Sequence, residues 1–159
     1  MQIVFIADFF LEDILGGGEI HNEILMGLLE REGHNVIKQR SSYTTPNHLL
    51  QNKDNYFIIA NFINLSEECK EILAHCKYVI YEHDHKYLKA RNPALYKNFK
   101  APKTELINLD FYKNAKSVFC QTNFHAEIVR KNTDLQNIIS VGGNLWSEES
   151  LDLMSGLSK

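Results

Sequence analysis

The chain has 159 residues, a length that fits one domain, and at 44% apolar and 11% aromatic it can bury a hydrophobic core. Its net charge of −3 argues against a nucleic-acid-binding domain, which is usually basic, so no nucleic acid partner is expected. Cys69, Cys76 and Cys120 are odd in number and lack CxxC spacing, which implies neither a disulfide framework nor a zinc site.

Met1 leads straight into Gln2–Ala7, a short β-branched and aromatic run that reads as a buried strand. No basic leader precedes it, and it is too short for a signal-peptide core or a membrane span, so a cytoplasmic location is expected. Glu19–Glu32 follows with Ile20, Ile24, Leu25, Leu28 and Leu29 on one helical face, and Gly33 is placed to stop that helix in the left-handed region. Asn35–Gln39 reads as an edge strand and Asn55–Asn61 as a third strand. Ser66, with Glu67 and Glu68 behind it, is expected to cap a helix running to His75. Lys77–Glu82 reads as the fourth strand, Thr104–Asn114 as a helix and Lys116–Thr122 as the fifth strand. Asn123 is expected to cap a helix through Lys131, and Ile138–Val141 to form a last short strand. Alternating strands and helices imply right-handed crossovers and a Rossmann-like α/β three-layer sandwich with a mainly parallel sheet. Residues 1–145 form this domain, and 146–159 read as a tail, either the start of a linker or a loose terminal helix.

In such sheets ligands collect beyond the carboxyl ends of the strands, so the loops there are where chemistry is sought. The first loop runs through Asp8–Leu15 into Gly16, Gly17, Gly18 and Glu19. Bare glycines let backbone N–H groups approach a phosphate, and the helix behind them adds free donors and a positive dipole end. The same glycines could equally form a plain strand-to-helix turn. No Gly-Lys-Ser/Thr follows, and the spacing is not Gly-x-Gly-x-x-Gly, which argues against a P-loop and against a dinucleotide site.

The fourth strand runs into Glu82, His83, Asp84 and His85. Alternation along an extended segment predicts that His83 and His85 point together, with Glu82 and Asp84 opposite. A histidine there can contact a sugar or phosphate, belong to a hydrogen-bonded structural loop, or share a metal with Asp84; no firm ligand spacing supports the last, and no metal is expected. Thr122 and Asn123 end the fifth strand in the same layer, where helix capping and substrate contact are compatible roles. Between Lys86 and Lys103 lie Lys89, Arg91, Lys97 and Lys100 with no acid among them, interleaved with Tyr87, Tyr96 and Phe99. This stretch is a candidate surface for an anionic acceptor, an anionic lipid or a partner.

The segment Gly16–Val36 (GGGEIHNEILMGLLEREGHNV) resembles the opening of glycosyltransferase family 4-like enzymes. The strand running into His83-Asp84 resembles that family's strand-His-Asp loop, and Ala115–Val129 (AKSVFCQTNFHAEIV) resembles a later strand-to-helix segment. The order and spacing of these motifs cover roughly residues 1–145. The resemblance implies half of a GT-B architecture, in which two Rossmann-like domains face each other across a cleft. This half would hold a hydroxyl acceptor, while a C-terminal domain, not among these residues, would bind the nucleotide diphosphate sugar donor. It implies retaining transfer of a hexose with no cofactor beyond the donor substrate. Gly16, Gly17 and Gly18 would lie near the diphosphate, His83 beside the transferred sugar, and Asp84 would orient its loop. Glu19 would cap the helix or touch the acceptor. The alternative expectation is a non-catalytic Rossmann-like binding module for a nucleotide, sugar or protein partner. A flavodoxin-like or response-regulator-like domain is a third, although Asn61 stands where a phosphorylatable aspartate would end the third strand.

Overall fold

In a computed structural model describing residues 1–157, the chain forms a three-layer α/β sandwich around a six-stranded, all-parallel sheet. The strands are β1 (Gln2–Ala7), β2 (Asn35–Arg40), β3 (Tyr56–Ile59), β4 (Lys77–Glu82), β5 (Val118–Cys120) and β6 (Ile138–Ser140), in spatial order β2-β1-β3-β4-β5-β6. The order reverses between β1 and β3, so loops leaving those two strands part to opposite faces.

Helix α1 (Gly17–Arg31) covers one face, where Met26 and Leu25 pack on Phe5, Ala7 and Tyr81. On the other face lie α2 (Pro46–Gln51), α3 (Glu67–Leu73), α4 (Leu109–Asn114) and α5 (Asn123–Thr133). Their Leu49, Leu73, Phe111, Tyr112 and Val129 join Val4, Ile6, Ile59, Ile80 and Val118 in the larger core. The strands alternate cleanly: Tyr78 and Ile80 face one cluster while Tyr81 faces the other. Beyond α1 its face of the sheet is thinly covered, leaving an apolar groove of about 270 Å³ between Leu25, Leu29, Val79 and Phe119.

Local signals account for most helix ends. Gly33 has φ +82, and the N–H groups of Gly33 and His34 return to the carbonyls of Glu30 and Leu29, closing α1 as its sequence predicts. Ser66 accepts from Cys69 N at 3.2 Å to begin α3. Three expectations change. Of Thr104–Asn114 only Leu109–Asn114 is α-helical, because Asn108 stands at φ +56 and a separate short turn, Lys103–Glu105, follows Pro102. Thr122 rather than Asn123 caps α5, accepting from His125 N at 3.1 Å, and Asn123 is the first helical residue. Helix α2, unforeseen, is short but has its own cap in Thr45 and Pro46 in its first turn.

The tail is helical over α6 (Glu148–Leu157), tied to α1 through Arg31 and Glu148, and none of its residues is buried. Residues 158 and 159 of the expected tail lie outside the described residues. Among the described residues no helix is long and apolar enough to cross a membrane.

Candidate functional site

The site grows from the carboxyl edge of the sheet. At the reversal point β1 delivers Asp8, which is buried and accepts from Ile63 N at 3.0 Å, from Asn64 N at 3.1 Å and from the Ser41 hydroxyl. This carboxylate ties together the segments that follow β1, β2 and β3.

The next loop ends at Gly16, the residue before α1, in extended conformation at φ −126 and with no side-chain cap. The first N–H groups of α1 therefore have no intrahelical acceptor and face outward with the positive end of the dipole. None of Gly16, Gly17 or Gly18 occupies the left-handed region. What glycine supplies is room: a methyl at Gly16 would collide with the Glu19 carboxylate, Gly17 borders open space, and a methyl at Gly18 would sit 3.7 Å from the His83 ring. The first helical turn and the end of β4 are thus in direct contact.

On that side of β4 the ring of His83 lies edge-on to Tyr81 at 4.5 Å between centroids. Its Nε2 is 2.9 Å from Asn22 Oδ1, which makes Nε2–H the donor and leaves Nδ1 with a lone pair. Among the described residues, Nδ1 of His83, Nδ2 of Asn22 and the Tyr81 hydroxyl are all buried without a partner. Burial, reinforced by the Lys86 charge, holds the His83 imidazole down to about 4, so it is neutral at physiological pH. His21, one residue before Asn22, lies 6.3 Å from His83 between ring centroids and meets Gln121 from the loop after β5. Burial lowers His21 as well.

On the opposite side of the same loop Glu82 is saturated, while among the described residues the buried Nε2 of His125 has no partner. Glu82 is fully buried and accepts from Asp84 N at 2.9 Å, from His85 N at 2.8 Å and from the Tyr112 hydroxyl, with Lys86 Nζ 3.7 Å away. Burial alone would raise this carboxyl; the Lys86 charge and the Tyr112 hydrogen bond outweigh it and hold it at about 2. Burial and the Glu82 charge push the Tyr112 hydroxyl far above its ordinary value, so it stays a donor.

His85 does not follow His83. Its φ of +56 turns the chain, and the ring crosses to the other side, 4.6 Å from His125 and with Nδ1 2.9 Å from the Tyr87 hydroxyl. The expected alternation fails because the segment stops being extended at that residue. Burial and the neighbouring His125 hold His85 near 4.

Asp84 also faces away from His83, pairing with Lys86 and with Arg91 at 3.0 Å. Glu82, through two backbone N–H groups, is the carboxylate that orients the loop. Thr122 and Asn123 are exposed, and their neighbour Gln121 is the residue that reaches the α1 side. Asn22, Tyr81 and Gln121 were missed in the sequence because a single Asn in a helix and a Tyr in a strand carry no motif. Helical spacing did put Asn22 four residues beyond Gly18, on the face that meets β4. Among the described residues no three His, Cys, Asp or Glu side chains are arranged to hold a metal ion.

The arrangement gathers a neutral imidazole acceptor, an amide donor and a phenol, all buried, close to the first turn of α1. Such a set suits a ligand that offers both hydroxyls and a negative charge. No protein-family model and no curated protein matches the chain. A solved flavodoxin from Streptococcus pneumonia TIGR4 aligns over 99% of this chain and 93% of its own, at 12% identity and a TM-score of 0.34. A likeness of that size assigns no function.

Proposed function

We propose that this chain is the acceptor-side domain of a GT-B glycosyltransferase, moving a hexose from a nucleotide diphosphate sugar to a hydroxyl acceptor. The observation that supports this most directly is the close approach of Gly18, in the first turn of α1, to the His83 ring, whose Nδ1 has no partner among the described residues. In this reading the N–H groups of Gly17 and Gly18 meet the donor's diphosphate, a role that needs no metal because fixed dipoles stabilise the leaving charge. His83 Nδ1 accepts from a hydroxyl of the transferred sugar, and Asn22 and Tyr81 hold the ring in place. Most of the donor contact belongs to a partner domain across the cleft, and retention of configuration follows from the family resemblance. The domain works in the cytoplasm, free or peripheral to a membrane surface.

A second reading is a non-catalytic module that binds a nucleotide, sugar or protein. The Glu19 carboxylate favours it, because it lies over Gly16 at the helix end where a phosphate would otherwise settle.

The two part in one experiment. The chain, alone and with a candidate donor-binding domain, is titrated with a panel of nucleotide sugars while release of nucleoside diphosphate is followed. The transferase reading expects weak donor binding by the chain alone, turnover with the second domain, and a loss of about 10²-fold in turnover for His83→Ala. Tight donor binding by the unaided chain, or turnover indifferent to His83, would sink it.

A further inference from the structure

A hollow of about 420 Å³ opens on the far side of the His83 loop, between Phe62 and Ile63 after β3 and Lys86, Leu88, Lys89 and Arg91 after β4. It lies at the same carboxyl edge of the sheet but does not include the glycine–histidine contact. Only the first part of the basic stretch noted in the sequence lines it; Lys100 instead bonds the Lys131 backbone carbonyl elsewhere.

Lys70 of α3 joins this group from a distant part of the chain. Its ammonium stands 5.7 Å from the Phe62 ring centroid, and that of Lys86 stands 5.6 Å from the same ring. Asn108 links the two, accepting from Lys70 Nζ at 3.0 Å and donating to the Lys86 carbonyl at 2.9 Å. The left-handed backbone of Asn108 makes this double contact available.

The balance of charge differs sharply between the two lysines. Lys86 is 2% exposed and already held between buried Glu82 and Asp84, so it is structural. The Lys70 side chain is 11% exposed, yet its carboxylate partner Glu67 is 81% exposed. A nearly buried cation whose counter-charge sits in water is poorly compensated, since such a surface pair contributes little. At the rim Arg91 and Lys89 are half exposed, and their acidic partners Asp84 and Glu105 are partly exposed. An incoming dianion can displace Glu67 and take donors from Lys70, Lys89 and Arg91 together, while Ile63 and Ile107 offer apolar surface at the mouth.

We propose that this hollow binds the phosphate head of an amphiphilic phosphomonoester, with Lys70, Lys89 and Arg91 on the phosphate and the apolar chain leaving over Ile63 and Ile107. The site stands apart from sugar transfer and holds whether or not the chain transfers sugar. Its ligand comes either from a lipid surface or from solution.

The full chain is titrated calorimetrically with octyl phosphate and with inorganic phosphate. In parallel it is floated with phosphatidylcholine vesicles, with and without phosphatidic acid. The expected result is saturable octyl phosphate binding about tenfold tighter than inorganic phosphate, because the tail adds apolar burial. Lys70→Gln and Arg91→Gln each weaken it by roughly tenfold, and His83→Ala leaves it unchanged. Arg91 is half exposed, so its variant keeps the test decisive if Lys70→Gln fails to fold. Flotation with phosphatidic acid that Arg91→Gln abolishes assigns a lipid source, and binding of octyl phosphate without flotation assigns a soluble one. No saturable binding, binding indifferent to both substitutions, equal affinity for inorganic phosphate, or loss through His83→Ala alone would each overturn the proposal.

Discussion

The two sides of the loop after β4 carry opposite kinds of polar chemistry within four residues. Toward α4 and α5, Glu82 finds two backbone N–H groups, a phenol and an ammonium, and no oxygen of it is left wanting. Toward α1, His83, Asn22 and Tyr81 each keep a buried polar atom without a partner among the described residues. A folded protein seldom leaves such atoms unpaired unless something else meets them. The contrast is between two clusters: the saturated Glu82 side braces the loop, and the group around His83 is where the proposed ligand would bind, while the unpaired His125 Nε2 beside His85 belongs to neither.

The strongest test of that separation is Glu82→Gln. It removes one of the two carboxylates facing near-buried Lys86 and turns a fully buried, hydrogen-bonded carboxylate into an amide, which should cost about 3–5 kcal/mol of stability by urea unfolding. A loss under about 1 kcal/mol would mean that the saturated side is not what holds the loop.

Acid should next separate the buried imidazoles from Glu82. His83 and His85 lie near 4 in the folded chain, against 6.5 for an ordinary imidazole. A depressed value means that the folded state prefers the neutral ring. This contribution is complete above pH 6.5 and is lost as pH falls from 6.5 toward 4. For His83 it amounts to about 3 kcal/mol. Glu82, held at about 2 against an ordinary 4.5, keeps its contribution until pH falls below 4.5, so the two losses occupy separate windows. Urea midpoints measured across pH should fall in two stages, and His83→Gln should shrink the upper one, to which His85 also contributes, while leaving the lower. A single stage, or an upper stage indifferent to His83, would erase the distinction.

The smallest effects are the most local. Gly17 and Gly18 are both helical, so alanine at either should stabilise the chain by about 0.5–1 kcal/mol. Only at position 18 does the added methyl reach the His83 ring. Ligand binding should therefore fall for Gly18→Ala and persist for Gly17→Ala, with imidazole NMR shifts reporting which ring environment changes. Equal effects at both positions would remove the helix–imidazole contact from the account.

The sheet was legible because its strands are short, apolar and β-branched and because each helix announces an end, as at Ser66 and Gly33. The approach of the first loop to the fourth was also legible, since parallel strands deliver their carboxyl ends to one edge. What escaped depends on single torsions and distant pairings. His85 at φ +56 reverses the side on which its ring falls, and Asn108 at φ +56 cuts an expected helix short. Nothing in a local window distinguishes either from an ordinary residue. Lys70 and Arg91 meet across one hollow, although α3 and the loop after β4 are separate in sequence. The Thr45-Pro46 pair did carry a readable helix start, but only one residue of the short segment behind it is buried.

Asp8 has a consequence for anyone who would redesign this scaffold. The gap where the winding reverses is the seat most open α/β sheets offer to a nucleotide, and here the protein's own carboxylate sits in it as a rivet through three loops. A designer cannot furnish that seat without first pulling the rivet and letting those loops drift. New recognition is more readily built one strand over, on the loop between His83 and Arg91, where the Glu82 bonds that brace the loop are separate from the His83 ring.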